Sequence, residues 1–343
     1  MMEIKQCRVA IVGATGAVGQ EMLKDLEKRD FPLTELRLLA SKRSAGKKIL
    51  FRGAEIEVEE ATPDAFSNVD IALFSAGGET SKRLAPEAVK RGAVVIDNSS
   101  AYRMDPDVPL VVPEVNPEAV KQHKGIIANP NCSTIQMTVA LKPLVDRYGV
   151  ERVIVSTYQA VSGSGWKAVE ELRSQSQSVL QGEEPTLEVM PVGKLDQHYQ
   201  IAFNVIPQCD VLAEDEYTFE EIKMVRETKK IFADDSIGVT ATCVRVPVER
   251  GHSESIYVEL KDDYELDEVR RLLKDGAGVI LDDELGAQRY PMPLATTGRP
   301  EVFVGRLRKD LHHPRALNMW VVSDNLLKGA ATNTVQIAEL LLR

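Results

Sequence analysis

The sequence predicts an α/β protein of two domains: a parallel-sheet domain, then an α+β domain, with a C-terminal helix returning to the first. Three observations carry this prediction. The chain has 343 residues, room for about two cores at roughly 150 residues per domain. Short apolar runs alternate with helix-forming stretches as far as Ala128, and from about Val153 the texture changes to longer strands. With 43% hydrophobic and 27% charged residues and no low-complexity block, the composition is that of a folded chain.

The elements follow in order. Arg8–Val12 is a short apolar run ended by glycine, and the segment to about Arg29 is helix-forming, so a strand, a tight turn and a helix are expected. Leu36–Ala40 reads as the next strand, and Ile71–Phe74, Val94–Ile96 and Ile126–Ala128 read as buried strands, with a helix over Ser81–Arg91. Strands alternating with helices imply a mostly parallel sheet covered on both faces. Beyond it lie strands over Val153–Ala160, Gly238–Val246 and Ser255–Leu260, and helices near Trp166–Gln181 and Tyr217–Phe232. Met319–Val322 is a last strand, Ser323-Asp324-Asn325 supplies cap residues, and an apolar-periodic helix runs to Leu342. The expected division is 1–131, 132–322 and 323–343, the last being the helix that packs back on the first domain.

Forty-two basic against 52 acidic residues leave a net charge of −10, a field that repels polyanions; no basic patch is long enough for nucleic acid. The Ser41-Lys42-Arg43-Ser44 run is enough to hold one phosphate. Cys7, Cys132, Cys209 and Cys243 show neither CxxC spacing nor a secreted framework, so reduced thiols in a cytoplasmic protein are expected, without disulfide or metal. Met1–Lys5 runs into the first strand without a leader-like apolar stretch, and no segment approaches about 18 consecutive apolar residues, so neither export nor a membrane span is expected.

Gly13-Ala14-Thr15-Gly16-Ala17-Val18-Gly19 lies between the first strand and the first helix, where small residues let backbone N–H groups and the helix N-terminus approach a pyrophosphate. The spacing is GxxGxxG rather than GxGxxG, and a tight structural turn is the plain alternative. Where a dinucleotide site for NAD carries an acid on the ribose, this chain has Ser41, Lys42, Arg43 and Ser44. Two cations and two hydroxyls suit a 2′-phosphate, hence NADP.

Cys132 opens an apolar-periodic helix after Asn129-Pro130-Asn131, and Pro143 should kink that helix. An ordinary thiol of pKa about 8.5 is about 3% thiolate at neutral pH; a helix N-terminus and a nearby imidazole raise that fraction. Cys7, Cys209 and Cys243 read as buried structural cysteines. Of five histidines, His252 stands in the Arg250-Gly251-His252-Ser253 turn at a strand end, as an acid/base partner for Cys132 or as a solvated turn residue.

Five ordered motifs, Gly13–Gly19, Asn98–Arg103, Asn129–Thr134, Tyr158–Gly163 and Arg245–His252, give the chain a resemblance to the aspartate-β-semialdehyde dehydrogenases over essentially its whole length. The resemblance implies a Rossmann-type NADP-binding domain, a catalytic and dimerisation domain, a homodimer, and a place in aspartate-derived synthesis of lysine, threonine, methionine and diaminopimelate. It implies Cys132 as nucleophile, His252 as acid/base catalyst, Gln159 positioning the acyl group, and Asn131 with nearby N–H groups holding an oxyanion. Arg103 and Lys223 match phosphate-binding positions, Arg245 the arginine on the substrate carboxylate, and Glu220 the acid facing its ammonium. Gly13, Thr15, Gly16, Ala17, Val18, Ser41, Arg43, Ser44, Ser162, Gly163 and Asn325 are the implied cofactor contacts.

Read without the resemblance, Glu220 and Lys223 are i,i+3 neighbours forming a surface ion pair on a helix with a Phe219, Ile222, Val225 and Phe232 stripe. The implied reaction converts L-aspartyl-4-phosphate, NADPH and a proton, through a Cys132 thioester, to L-aspartate 4-semialdehyde, NADP and phosphate. The alternatives are an N-acetyl-γ-glutamyl-phosphate reductase, which needs no acid for a free ammonium, a cysteine hydrolase, and a noncatalytic NADP sensor.

Overall fold

In the computed structural model, which describes residues 6–342, the chain forms two compact units, one running through Asn131 and rejoined from Ala330, the other Cys132–Gly329. The lead-in Met1–Lys5 lies outside the described residues. The chain changes unit at Ala330 rather than at 323, because Asp324 and Asn325 are bonded within the second unit, to Arg250, Gly298, Gly251 and Ser162.

The first unit contains β1 (Cys7–Val12), α1 (Ala17–Lys28), β2 (Leu33–Ala40), β3 (Lys48–Phe51), β4 (Ala54–Glu60), β5 (Ile71–Phe74), α2 (Gly78–Lys90), β6 (Val94–Asp97) and β7 (Ile126–Ala128). The sheet order is β3-β4-β2-β1-β5-β6-β7, parallel except for the β3–β4 hairpin. The sequence reading did not include this hairpin, whose strands are short and mostly exposed and, in β4, rich in glutamate, a residue depleted in strands. The central strands are buried on both faces, as their unbroken apolar runs require.

The second unit begins with α3 (Cys132–Tyr148), which runs through Pro143 as one element, and β8 (Val150–Gln159). It continues with α4 (Trp166–Gln181), α5 (Phe219–Phe232), β9 (Gly238–Arg245), β10 (His252–Leu260), α6 (Leu266–Asp275), β11 (Val279–Leu281), α7 (Pro293–Thr296), β12 (Val302–Lys309) and β13 (Ala316–Ser323). The sheet order is β11-β12-β13-β10-β8-β9. One face is covered; on the other, Ile154 is 41% and Tyr158 37% exposed, the latter packed on Trp320 at 5.4 Å between ring centroids.

The closing helix differs from a plain capped helix. Asp324 Oδ1 accepts from the N–H groups of Leu326 and Leu327, a π-helical turn follows over Leu327–Ala331, and α8 (Thr332–Leu340) completes the chain. Within the first unit α8 packs on α1, with Glu339 paired bidentately to Arg29.

Candidate active site

Strand register brings the sequence candidates of the second unit to one edge. Gln159 and Arg245 end the parallel strands β8 and β9 directly opposite each other, while His252 begins β10, whose next residue pairs with Tyr158. Ser133, beside Cys132 at the start of α3, accepts a 3.1 Å hydrogen bond from Gln159 Nε2. The same amide nitrogen donates to Glu220 Oε1 at 3.1 Å, and Lys223 Nζ donates to Glu220 Oε2 at 3.1 Å and to Asp210 at 2.7 Å.

Cys132 is the one cysteine of the four that is not buried. Burial pushes the Cys209 thiol up to about 12 and the Cys243 thiol well above its ordinary range. A thiol that cannot ionise is no nucleophile, so Cys132 is the reactive candidate.

His252 is fully buried. Desolvation, with the neighbouring Arg245 cation, lowers its pKa to about 3, so the imidazole is neutral at physiological pH. Its Nδ1 accepts from the Ala160 N–H at 3.0 Å, which puts the proton on Nε2, and Nε2 has no partner among the described residues. Arg245 Nη1 donates to the Ala160 carbonyl at 2.8 Å, while its buried Nε has no partner among the described residues. Two buried donors with nothing to donate to are suited to a polar, anionic ligand. A Cβ on Gly163 would stand 3.0 Å from Arg245 Nη1 and 3.2 Å from His252 Nε2, so glycine keeps this space open.

The surface-ion-pair reading of Glu220 and Lys223 is corrected here. Glu220 is buried, and the inward face of α5 is Glu220, Glu221, Met224, Glu227, Thr228 and Ile231, while Phe219 is 48% exposed. The polar residues turn inward because they find partners. Glu221 closes a capping box with Thr218 and accepts from the Cys243 N–H, and Glu220 meets Gln159.

In the first unit a cleft of about 440 Å³ opens at the carboxyl ends of β1 and β2, lined by Gly13, Thr15, Gly16, Ser41, Lys42, Thr80 and Arg83 among others. These residues fit a dinucleotide. Gly13 has φ +88°, and a Cβ there would lie 2.4 Å from the Ser75 carbonyl; a Cβ on Gly19 would lie 2.3 Å from the Gly13 carbonyl. Ala17 and Val18 start α1, presenting its N-terminus. Of the basic run, Ser41 and Lys42 line the cleft; Arg43 is exposed and Ser44 buried in the 3₁₀ turn that follows.

Arg103, also in the first unit, is buried, with Nε on the Asn129 carbonyl at 2.9 Å and Nη2 on the Asn98 carbonyl at 3.0 Å. Asn129 bonds Asn98 at 2.6 Å and Asn333 at 2.7 Å, fixing the strand end that leads through buried Asn131 to Cys132. In the second unit Ser162 and Asn325 bond each other, and Asn325 Oδ1 accepts from the Gly251 N–H. Sequence reasoning missed Ser133, Ala160, Asp210, Thr80 and Arg83. The first two stand inside quoted motifs, but Ala160 acts through its backbone, and the others carry no local signal.

Residues 8–123 match the family described as semialdehyde dehydrogenase, NAD binding domain, and residues 141–328 match its dimerisation domain. The chain is 59% identical to the aspartate-semialdehyde dehydrogenase of Bacillus subtilis, over 97% of this chain and 96% of that one. It is 58% identical to that of Aquifex aeolicus over 98% of each. Its fold is similar to the crystal structure of aspartate semialdehyde dehydrogenase II from Vibrio cholerae complexed with ASA, with a TM-score of 0.94, 49% identity and 99% of each chain covered. It is also similar to the Candida albicans aspartate semialdehyde dehydrogenase with NADP, with a TM-score of 0.74, 26% identity and 98% of each chain covered. Among the described residues no helix is long and apolar enough to cross a membrane, and no cluster of His, Cys, Asp and Glu has the makings of a metal site.

Proposed function

Because the chain belongs to the aspartate-semialdehyde dehydrogenase family, we propose that Cys132, Gln159, Arg245 and His252 carry the family's reaction here. That reaction is the reductive dephosphorylation of L-aspartyl-4-phosphate to L-aspartate 4-semialdehyde, in the synthesis of lysine, threonine and methionine. NADPH, when bound, supplies the hydride that reduces the thioester. Gly13, Thr15, Gly16, Ser41 and Lys42 would hold it in the cleft of the first unit, together with Ala17, Val18, Arg43 and Ser44 from the turn and the basic run; Ser162, Gly163 and Asn325 are its proposed contacts in the second unit.

The Cys132 thiolate attacks the acyl carbon, the bond from that carbon to the phosphate oxygen breaks, and phosphate leaves, taking up a proton from solvent. The Arg103 guanidinium and the Lys223 ammonium are the proposed phosphate partners, Arg245 the carboxylate clamp and Glu220 the ammonium partner. His252, the proposed acid/base catalyst, presents Nε2–H in the tautomer set by Ala160 and so donates to the oxyanion of each tetrahedral species, alongside Asn131. Collapse of the thiohemiacetal oxyanion breaks the carbon–sulfur bond and returns Cys132 as thiolate. Gln159, tethered to Ser133 and Glu220, positions the acyl group.

The open sheet face with Ile154, Tyr158 and Trp320 is the natural surface for the homodimer, since exposed aromatic and aliphatic side chains gain most from being covered. Four thiols without a disulfide support a cytoplasmic setting.

The observation that carries this reading is the accessible Cys132 at a helix start beside the Ser133–Gln159 bond. Mixing the enzyme with L-aspartyl-4-phosphate without NADPH is expected to release one equivalent of phosphate per site, and adding NADPH to yield the semialdehyde. Cys132→Ser should remove both while leaving NADP binding intact; near-normal turnover in that variant would overturn the reading.

A further inference from the structure

Glu254 lies on β10 two residues after His252, on the same side of the strand, and is fully buried. Neither of its carboxyl oxygens has a hydrogen-bond partner among the described residues, and neither has the Nε2 or Oε1 of Gln136, the polar group that faces it. Gln136 is 1% exposed and stands on α3 one turn beyond Cys132, three residues after Ser133. Cross-strand neighbours of Glu254 are Thr157 on β8 and Val321 on β13, neither of them charged. Burial raises the Glu254 pKa well above the ordinary carboxylate range; the facing Gln136 amide opposes this only in part, and no cation does.

Four buried polar atoms left without partners would destabilise the interior strongly. The two groups are chemically complementary when the acid keeps its proton. A carboxylic acid offers one O–H donor and one carbonyl acceptor, and a carboxamide offers N–H and oxygen. The amide can be turned either way round to match. Glu254 is therefore read as a neutral donor and acceptor rather than as an anion.

We propose that Gln136 and Glu254 form a hydrogen-bonded amide–acid pair that ties the first turns of α3 to β10, making Glu254 a positioning residue that holds Cys132 in register with His252. The inference rests on the reading of Cys132 and His252 as the reacting pair. Its logic is geometric: Cys132 and Gln136 are four residues apart on one helix, His252 and Glu254 two apart on one strand, so a bond between the second members fixes the separation of the first. A displacement of about 1 Å in a reacting group lowers a rate by about a hundredfold.

The test compares Glu254→Gln, Glu254→Met and Gln136→Met in the full enzyme, measuring kcat, KM, and the pH midpoint of Cys132 alkylation. Glu254→Gln keeps a donor and an acceptor without charge, and is expected to retain kcat within about threefold and an unchanged alkylation midpoint. Glu254→Met and Gln136→Met each break the pair, and are expected to lower kcat by about 10- to 100-fold with little change in KM, and to move the alkylation midpoint away from the parent's. Wild-type kcat in both methionine variants would overturn the proposal. So would a folded Glu254→Gln enzyme whose kcat falls about tenfold or more below the parent's, since that outcome demands an ionised carboxylate; measured against the parent, this arm decides even where a methionine variant fails to fold. Cys132→Ser, run alongside, tests the underlying reading separately, because turnover surviving in it would discredit the nucleophile whatever Glu254 does.

Discussion

The N–H of Ala160 donates to Nδ1 of His252 at 3.0 Å, and that single backbone contact decides which imidazole nitrogen carries the proton. The carbonyl of the same residue accepts from Arg245 Nη1 at 2.8 Å. The two peptide groups flanking Ala160 thus orient the group proposed to hold the oxyanion and the group proposed to hold the substrate carboxylate, and both retain a buried N–H without a partner among the described residues.

His252 is expected to stay neutral, protonated on Nε2, across the range from about pH 5 to 8 in which an ordinary histidine titrates. Nitrogen-15 NMR of the ligand-free enzyme checks this, and an imidazolium signal near neutrality would contradict it. The stability consequence has a definite sign. Between the folded value of about 3 and the ordinary 6.5, the unfolded chain binds the extra proton, so this group makes stability rise with pH and is a source of acid unfolding. Urea unfolding from mildly acidic to neutral pH should show a smaller pH slope in His252→Asn than in the parent. Turnover in His252→Ala should fall by about 10²–10³, the usual loss when one oxyanion donor is removed.

Arg245→Ala is expected to raise KM at least tenfold, because the carboxylate clamp acts on ground and transition states alike. A smaller fall in kcat should accompany it, since the Ala160 carbonyl loses its guanidinium and the residue whose N–H orients His252 is held less firmly. Steady-state kinetics separates the two effects; an unchanged KM would remove Arg245 from substrate recognition.

Gly163→Ala places a methyl group 3.0 Å from Arg245 Nη1 and 3.2 Å from His252 Nε2. Gly163 is exposed and its backbone is not left-handed, so the fold should tolerate the change. Arg245 and His252 must give way by a few tenths of an ångström, which is expected to lower kcat/KM by about tenfold at a stability cost of about 1–3 kcal/mol at most. Full activity in this variant would mean that the ligand does not use this space.

Lys42 lines the cleft at the end of β2, and Arg43 stands exposed one residue on. Lys42→Ala is expected to weaken NADP binding by about 10- to 150-fold, the loss of one charge-assisted contact, and Arg43→Ala by less, with NAD binding spared in both. Titration of both cofactors against the parent and the two variants reads this directly, and equal affinity of the parent for NAD and NADP would refute the 2′-phosphate assignment.

Legibility in the sequence followed range. The β1, glycine turn and α1 sequence was readable because a strand end, a φ of +88° at Gly13 and a helix start are properties of neighbouring residues. Cys132 at the head of α3 was readable for the same reason. The inward face of α5 was not, because periodicity counts hydrophobicity, whereas Glu220 and Glu221 turn inward for hydrogen bonds to Gln159 and to the Cys243 backbone, distant in the chain.

Sequence alone therefore determined the alternating first domain, the dinucleotide turn, the basic end of β2 and the candidate nucleophile, since each depends on contacts within a few residues. Tertiary structure decided what those residues become. Strand register set Gln159 opposite Arg245 and put His252 at the same edge; burial made the imidazole neutral, silenced Cys209 and Cys243, and pushed the Glu254 carboxyl well above the usual carboxylate range. Register joins positions far apart in the chain, and desolvation depends on everything packed around a group, so neither is a property of any local stretch.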